Sequence, residues 1–304
     1  MTELAVYLST VPYKKYFTLC KPKVVLLIVF TAIVGMLLST PGSLPLDLVV
    51  YATTGIGLAA ASGAAVNHWV DQRIDAVMER TQNRPLPQGD MSGISALVFA
   101  VSLGLISMAI LMVKVNMLTA WLTLLSLVGY AVIYTMFLKR TTPQNIVLGG
   151  AAGAAPPVLG WTAMTGEINS EALLLFLIIF IWTPPHFWAL AIKRKDEYAR
   201  AGLPMLPVTH GIPFTKLHIL LYTLMLVAVT LMPFMINMSG LVYLSGAIAL
   251  GIGFLYHAYK LYKTGSSDEH AMKTFAYSIF YLSALFAFFL ADHYVRIFLR
   301  EYLV

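Results

Sequence analysis

GIGLAAASGAAVNHWVDQRIDAVMERTQNRPL, residues 55–86, passes without a break from a small-residue apolar run into a cluster of acids and arginines. The run is long enough to belong to a membrane-crossing helix. It ends on Asn67, Asp71 and Asp75, four residues apart. Steps of four on an α-helix advance about 400°, so these three side chains share one face. Arg73, Arg80 and Arg84 follow at once. Acids beside a hydrocarbon core are costly and usually mark a working site. Two carboxylates and an amide on one face, with arginines beside them, suit a magnesium ion holding a phosphorylated substrate.

The rest of the chain carries the apolar theme. It is 59% hydrophobic and 11% charged, with a mean hydropathy of +0.78. A soluble domain carries about 25% charged residues. Windows of about 20 apolar residues give nine spans, near 24–41, 47–68, 93–113, 117–138, 145–165, 171–192, 215–236, 240–262 and 273–293. The fold class expected is an all-α integral membrane protein, with about nine transmembrane helices surrounding a chamber open at the cytoplasmic side. The connections are short, so residues 1–304 read as a single multi-pass membrane domain. The first apolar run lacks an A-x-A-like cleavage site and is expected to be a retained span. The single cysteine, Cys20, excludes an internal disulfide and a cysteine-based metal cluster.

A formal charge of +6 would suit nucleic acid, but its distribution argues against that partner. Seventeen of the twenty Lys and Arg fall at the N-terminus or after even-numbered spans, leaving Lys114, Arg296 and Arg300. The positive-inside rule places the N-terminus in the cytoplasm and the C-terminus outside. Two cytoplasmic loops are long and rich in chemistry, at about 69–92 and 193–214. The second, KRKDEYARAGLPMLPVTHGIP, offers Asp196 and Glu197. Opening on the same side as the first motif, it could join it in clamping a diphosphate through two magnesium ions. Lys139 and Arg140 close span four on that side. They serve either as a stop signal or as diphosphate contacts. His186, in TPPHFWALA, is either a satisfied core residue or one that faces a buried polar ligand. Gly149 and Gly153 form a G-x-x-x-G step that permits close helix packing.

These stretches resemble the protohaem IX farnesyltransferases (haem O synthases) of the UbiA-type intramembrane prenyltransferase superfamily, along almost the whole chain. NHWVDQRIDAVMERTQNRPL, residues 67–86, looks like the N-x-x-x-D-x-x-x-D segment followed by M-x-R-T-x-x-R. YTMFLKRTTPQN (134–145), AGAAPPVLGW (152–161), PPHFWALAI (184–192) and EYARAGLPMLPV (197–208) look like the later signatures, in order. One feature departs from many superfamily members, which carry a second D-x-x-x-D. Here the four-residue partner of Asp196 is Arg200, and the acid–Tyr pattern implicates Glu197 at least as much.

The resemblance implies transfer of the farnesyl group of farnesyl diphosphate to a vinyl group of haem B, with water addition, giving haem O and diphosphate. It implies Mg²⁺ held by Asn67, Asp71 and Asp75, with Asp196 or Glu197 on a second ion. It assigns diphosphate contacts to Arg80, Arg84, Lys139 and Arg140, and places His186 and Trp69 near the haem. It also implies a cell-membrane location, with haem A synthase or terminal oxidase assembly as candidate partners. Two rival readings stand beside it: the same fold with another aromatic or tetrapyrrole acceptor, and a cation or phosphate-ester transporter. Transporters place their sites near the midplane, whereas these acids cluster at one surface.

Overall fold

The computed structural model describes residues 13–40 and 42–302. Among them there is no β-strand, and nine helices are long and apolar enough to cross a membrane. We label these α1 (Pro22–Ser39), α2 (Leu46–Val70), α3 (Gly93–Lys114), α4 (Met117–Thr141), α5 (Asn145–Thr165), α6 (Ser170–Lys193), α7 (Gly211–Met235), α8 (Leu241–Lys263) and α9 (Ala271–Tyr302). Hydrophobic windows therefore placed the first eight spans to within a few residues. The differences are at α7, which starts at Gly211 rather than near 215, and at α9, which runs on to Tyr302 rather than ending near 293.

Local chemistry sets the helix ends. Pro22 and Pro156 open helical segments at the first turn, where a missing N–H costs nothing. Ser92 and Asn116 cap α3 and α4 by accepting from Ser95 N (3.1 Å) and Thr119 N (2.8 Å). Gly166 ends α5 in the left-handed conformation at φ 71°. Pro156 also divides α5, whose first half closes at Ala154. Pro184 and Pro185, by contrast, lie inside a continuous α6.

Sequential helices pack side by side, and α9 returns to contact α1, so the bundle closes on itself. Outward faces are apolar, with Leu26, Leu105 and Leu125 each about two-thirds exposed. That is the surface a lipid solvent requires. The largest core lies among α6, α8 and α9, around Trp182, Tyr243, Phe254, Tyr281, Phe286 and Phe289.

The closest backbone crossings are not at the G-x-x-x-G step. A Cβ on Gly160 would lie 1.9 Å from Ala32 O, and one on Gly35 would lie 2.1 Å from Pro157 O. These two glycines let α1 and α5 touch. Gly149 meets only the Tyr134 ring, and Gly153 has open space beside it.

Far from the acidic motif, Asp292 on α9 is 1% exposed and accepts from the backbone N–H of Gly240 (2.6 Å) and Tyr243 (3.1 Å). A carboxylate there satisfies orphan donors and meets the positive end of the α8 dipole. Lys216, buried on α7, spends its donors on Thr264 Oγ1 (2.5 Å), Gly265 O (2.9 Å) and Ser267 O (2.6 Å). Both are buried charges with structural work.

Candidate active site

Helix α2 stops at Val70, and Asp71 takes φ −87°, ψ 7° before a short helix, Gln72–Val77. The four-residue register survives the break. Asp71 N donates to Asn67 O (3.0 Å) and Asp75 N to Asp71 O (2.8 Å). Asn67, Asp71 and Asp75 are 5%, 1% and 3% exposed. Burying two carboxylates at a helix C-terminus is unfavourable on desolvation and dipole grounds alike. Cations from the end of α4, from the loop after Val77 and from the residue before α1 offset that cost.

Each member of the trio has one. Lys139 Nζ donates to Asp71 Oδ2 at 2.5 Å, and Arg140 Nη2 lies 3.7 Å from Asp71 Oδ1. Arg84 Nη1 donates to Asp75 Oδ2 at 2.7 Å. Lys21 Nζ donates to Asn67 Oδ1. The Asn67 amide nitrogen donates to Asp71 Oδ2 (2.7 Å), and Thr135 Oγ1 lies 3.5 Å from it. Asp71 Oδ1 is buried without a hydrogen bond.

Lys139 arrives through an unusual helix. From Gly129 to Leu138, α4 is wound as a π-helix. Thr135 Oγ1 donates to Tyr130 O at 2.8 Å, five residues back. Such wide turns are rare and concentrate at functional sites. This one carries the stacked Tyr130 and Tyr134 rings, 5.7 Å apart, beneath which Gly149 leaves room. No hydrophobic period announces it.

Lys21 was counted from sequence only as one more inside-facing positive residue. It adopts φ 48°, ψ 61°, a left-handed backbone that costs a non-glycine residue about 1–2 kcal/mol. Pro22 follows it and starts α1. Burial, with Arg84 and Lys139 nearby, lowers its ammonium from the usual lysine range to about 7, against the opposing pull of Asp71 and Asp75. The only hint in the sequence was a polar residue before a helix-opening proline.

The second loop folds as two short helices, Lys195–Arg200 and Leu206–Thr209. Asp196 is exposed. Glu197 is half-buried and accepts from Arg194 Nη1 at 3.2 Å. Arg200 does not pair with Asp196; it reaches Glu79 in the first loop at 3.5 Å. Burial, with Arg84 and Arg194 nearby, lowers the Arg80 guanidinium from its usual range, against the opposing pull of Tyr198 and Asp75. The two loops therefore meet through arginines. Among the described residues no three Asp, Glu, His or Cys side chains converge as a metal cluster.

Trp69 and His186 pack in different places. Trp69 lies against Leu19, Leu86 and Ala96. His186 stacks between Trp182 (ring centres 4.2 Å apart) and Phe275 (4.6 Å). Its Nδ1 is 2.7 Å from Ser278 Oγ, whose hydroxyl donates to Phe275 O at 2.6 Å. With that hydroxyl proton on Phe275 O, Ser278 accepts from Nδ1, and the Nε2 lone pair is the free one.

The donor set of the trio is all oxygen, and an orphaned carboxylate oxygen sits within it. Those are the properties a hard cation such as Mg²⁺ requires. Around it, five cations (Lys21, Arg80, Arg84, Lys139 and Arg140) face two carboxylates. That surplus suits a polyanion.

This fold, with a cation-rich acid pair at one end of it, is that of an intramembrane prenyltransferase. The UbiA prenyltransferase family matches residues 28–290, and the chain belongs to that family. The chain is 64% identical to the protoheme IX farnesyltransferase of Thioalkalivibrio sulfidiphilus, over 93% of this chain and 94% of that one. Among solved structures, a digeranylgeranylglyceryl phosphate synthase superposes with a TM-score of 0.79 at 18% identity, covering 92% of this chain and 98% of the other. A UbiA homolog from Archaeoglobus fulgidus bound to GPP and Mg²⁺ gives 0.61 at 15%, covering 90% and 99%. At those identities the structural likeness speaks to fold alone.

Proposed function

We propose that this chain transfers the farnesyl group of farnesyl diphosphate to a vinyl group of protohaem IX, with addition of water, giving haem O and diphosphate. One observation carries the chemistry: two buried carboxylates in four-residue register, each paired to a cation, with further cations in excess. The 64% identity to a protoheme IX farnesyltransferase supports the choice of acceptor.

Cleaving the allylic C–O bond leaves negative charge on the diphosphate. We assign Lys139, Arg140, Arg84 and Arg80 to receive that charge, the usual main electrostatic term in catalysis. Asn67, Asp71 and Asp75 would hold Mg²⁺, which when bound supplies further positive charge at the leaving group. The vinyl carbon attacks the farnesyl cation, and water captures the cation this creates on the porphyrin side chain. The apolar bundle keeps water from the first cation. His186, with its free Nε2, is the residue we assign to the haem side.

The charge distribution places the acidic end in the cytoplasm, with the N-terminus inside and the C-terminus outside. Reporter fusions after Arg80 and Met205 then read as cytoplasmic, and one after Glu167 as external. Fusions after Arg80 and Met205 on opposite sides would overturn this topology and the shared site.

A direct test of the acceptor offers the purified protein farnesyl diphosphate with haem B and a quinone precursor in competition. Prenylated haem is the expected product; prenylated quinone precursor alone would reject the reading.

A further inference from the structure

Two carboxylates at the site already have three partners in Lys139, Arg140 and Arg84. Lys21 is therefore not needed to neutralise them. It spends its ammonium on a neutral acceptor, the Asn67 amide oxygen, and does so from a left-handed backbone. The orientation of that amide is set by its other end, where the nitrogen donates to Asp71 Oδ2. Oδ1 is thus the one atom of Asn67 able to face a metal, and a lysine already holds it. An ammonium and a divalent ion compete for one oxygen at close range and repel each other strongly in a partly buried site. Strain held at such a position is typical of a part that moves.

We propose that Lys21 is the resident cation of the Asn67 oxygen in the metal-free protein, and that metal entry displaces it towards the diphosphate. The inference rests on the metal reading of Asn67, Asp71 and Asp75 given above. Metal and diphosphate then bind synergistically. The metal frees a cation that the diphosphate can use, and the diphosphate takes up a charge that otherwise opposes the metal.

The test uses the full chain in lipid nanodiscs and Mn²⁺ alone as the probe, with bound and free ion read by electron paramagnetic resonance. Lys21→Met removes the competitor and is expected to tighten Mn²⁺ binding by about tenfold, the scale of one close like charge lost. Lys21→Arg keeps the charge and stays near wild type. Lys21→Gln guards against a packing artefact and should tighten binding as Met does, with size-exclusion profiles and melting curves showing folded protein. Mn²⁺ binding that depends on Asp71 but is unchanged or weakened in both Lys21→Met and Lys21→Gln overturns the proposal and leaves the metal reading standing. Wild-type protein that binds no Mn²⁺, or binds it as well after Asp71→Asn, overturns both.

Discussion

Lys139 Nζ and Asp71 Oδ2 meet at 2.5 Å, fastening the last turn of α4 to the end of α2. Their side chains are 15% and 2% exposed, so this is a nearly dry ion pair. Removing one partner of such a pair leaves an uncompensated charge, typically at 3–5 kcal/mol. Arg140 at 3.7 Å offsets part of that. Lys139→Met is expected to destabilise the protein by about 2 kcal/mol, and the double variant with Asp71→Asn to recover most of it. Unfolding midpoints in denaturant form the cycle. Additive losses in the double variant would show that the pair is not coupled.

Asp71→Asn and Asp75→Asn are each expected to lower turnover by about 10²-fold or more while the protein stays folded and membrane-inserted, since transition-state charge stabilisation is lost rather than packing. Haem conversion under saturating Mg²⁺ measures this. Near-normal conversion in both would remove these residues from the site.

Gly160 and Gly153 separate close packing from mere motif. A Cβ at Gly160 runs into Ala32 O at 1.9 Å, backbone that has no room to yield, whereas nothing lies within 4 Å of one at Gly153. Gly160→Ala should cost about 1–3 kcal/mol from overpacking. Gly153→Ala should be neutral or stabilising by up to about 1 kcal/mol, because it removes glycine from a helix. Thermal melts of the two variants compare them directly; equal shifts would contradict the α1–α5 crossing.

Glu197→Gln should lower kcat more than Asp196→Asn. Glu197 holds Arg194, which shares the neighbourhood of Tyr198 and Arg80, while Asp196 is exposed. The i, i+4 spacing of Asp196 and Arg200 does not make a local pair; Arg200 lies 3.5 Å from Glu79 instead. Steady-state kinetics of the two variants decide it, and equal or reversed losses would reject the division.

The bundle was legible because lipid makes one demand of every span, about 20 apolar residues, and the chain meets it nine times. The acidic trio was legible because a period of four is local. Arg84 follows nine residues after Asp75 and was legible with it, but the pairings of Lys21 and Lys139 were not, because they come from far along the chain: Lys21 from 46 residues before Asn67 and Lys139 from 68 after Asp71. The π-helical stretch was hidden because its apolar pattern is that of any membrane helix. The rule that an intramembrane charge marks a site picked out Asp71 and Asp75. Applied to Asp292, it would have mistaken a helix cap for chemistry.

In the proposed reaction the cation-paired acids release farnesyl from its diphosphate for attack by a haem vinyl group, with water completing the product. The most direct measurement is the mass of haem recovered after the purified protein is incubated with farnesyl diphosphate, haem B and Mg²⁺ in ¹⁸O-labelled water. The expected product is a haem heavier by one farnesyl group and one hydroxyl carrying the label, formed by wild type and absent with Asp71→Asn. Unchanged haem with wild type, or the same labelled product in undiminished yield from Asp71→Asn, would contradict the proposed reaction.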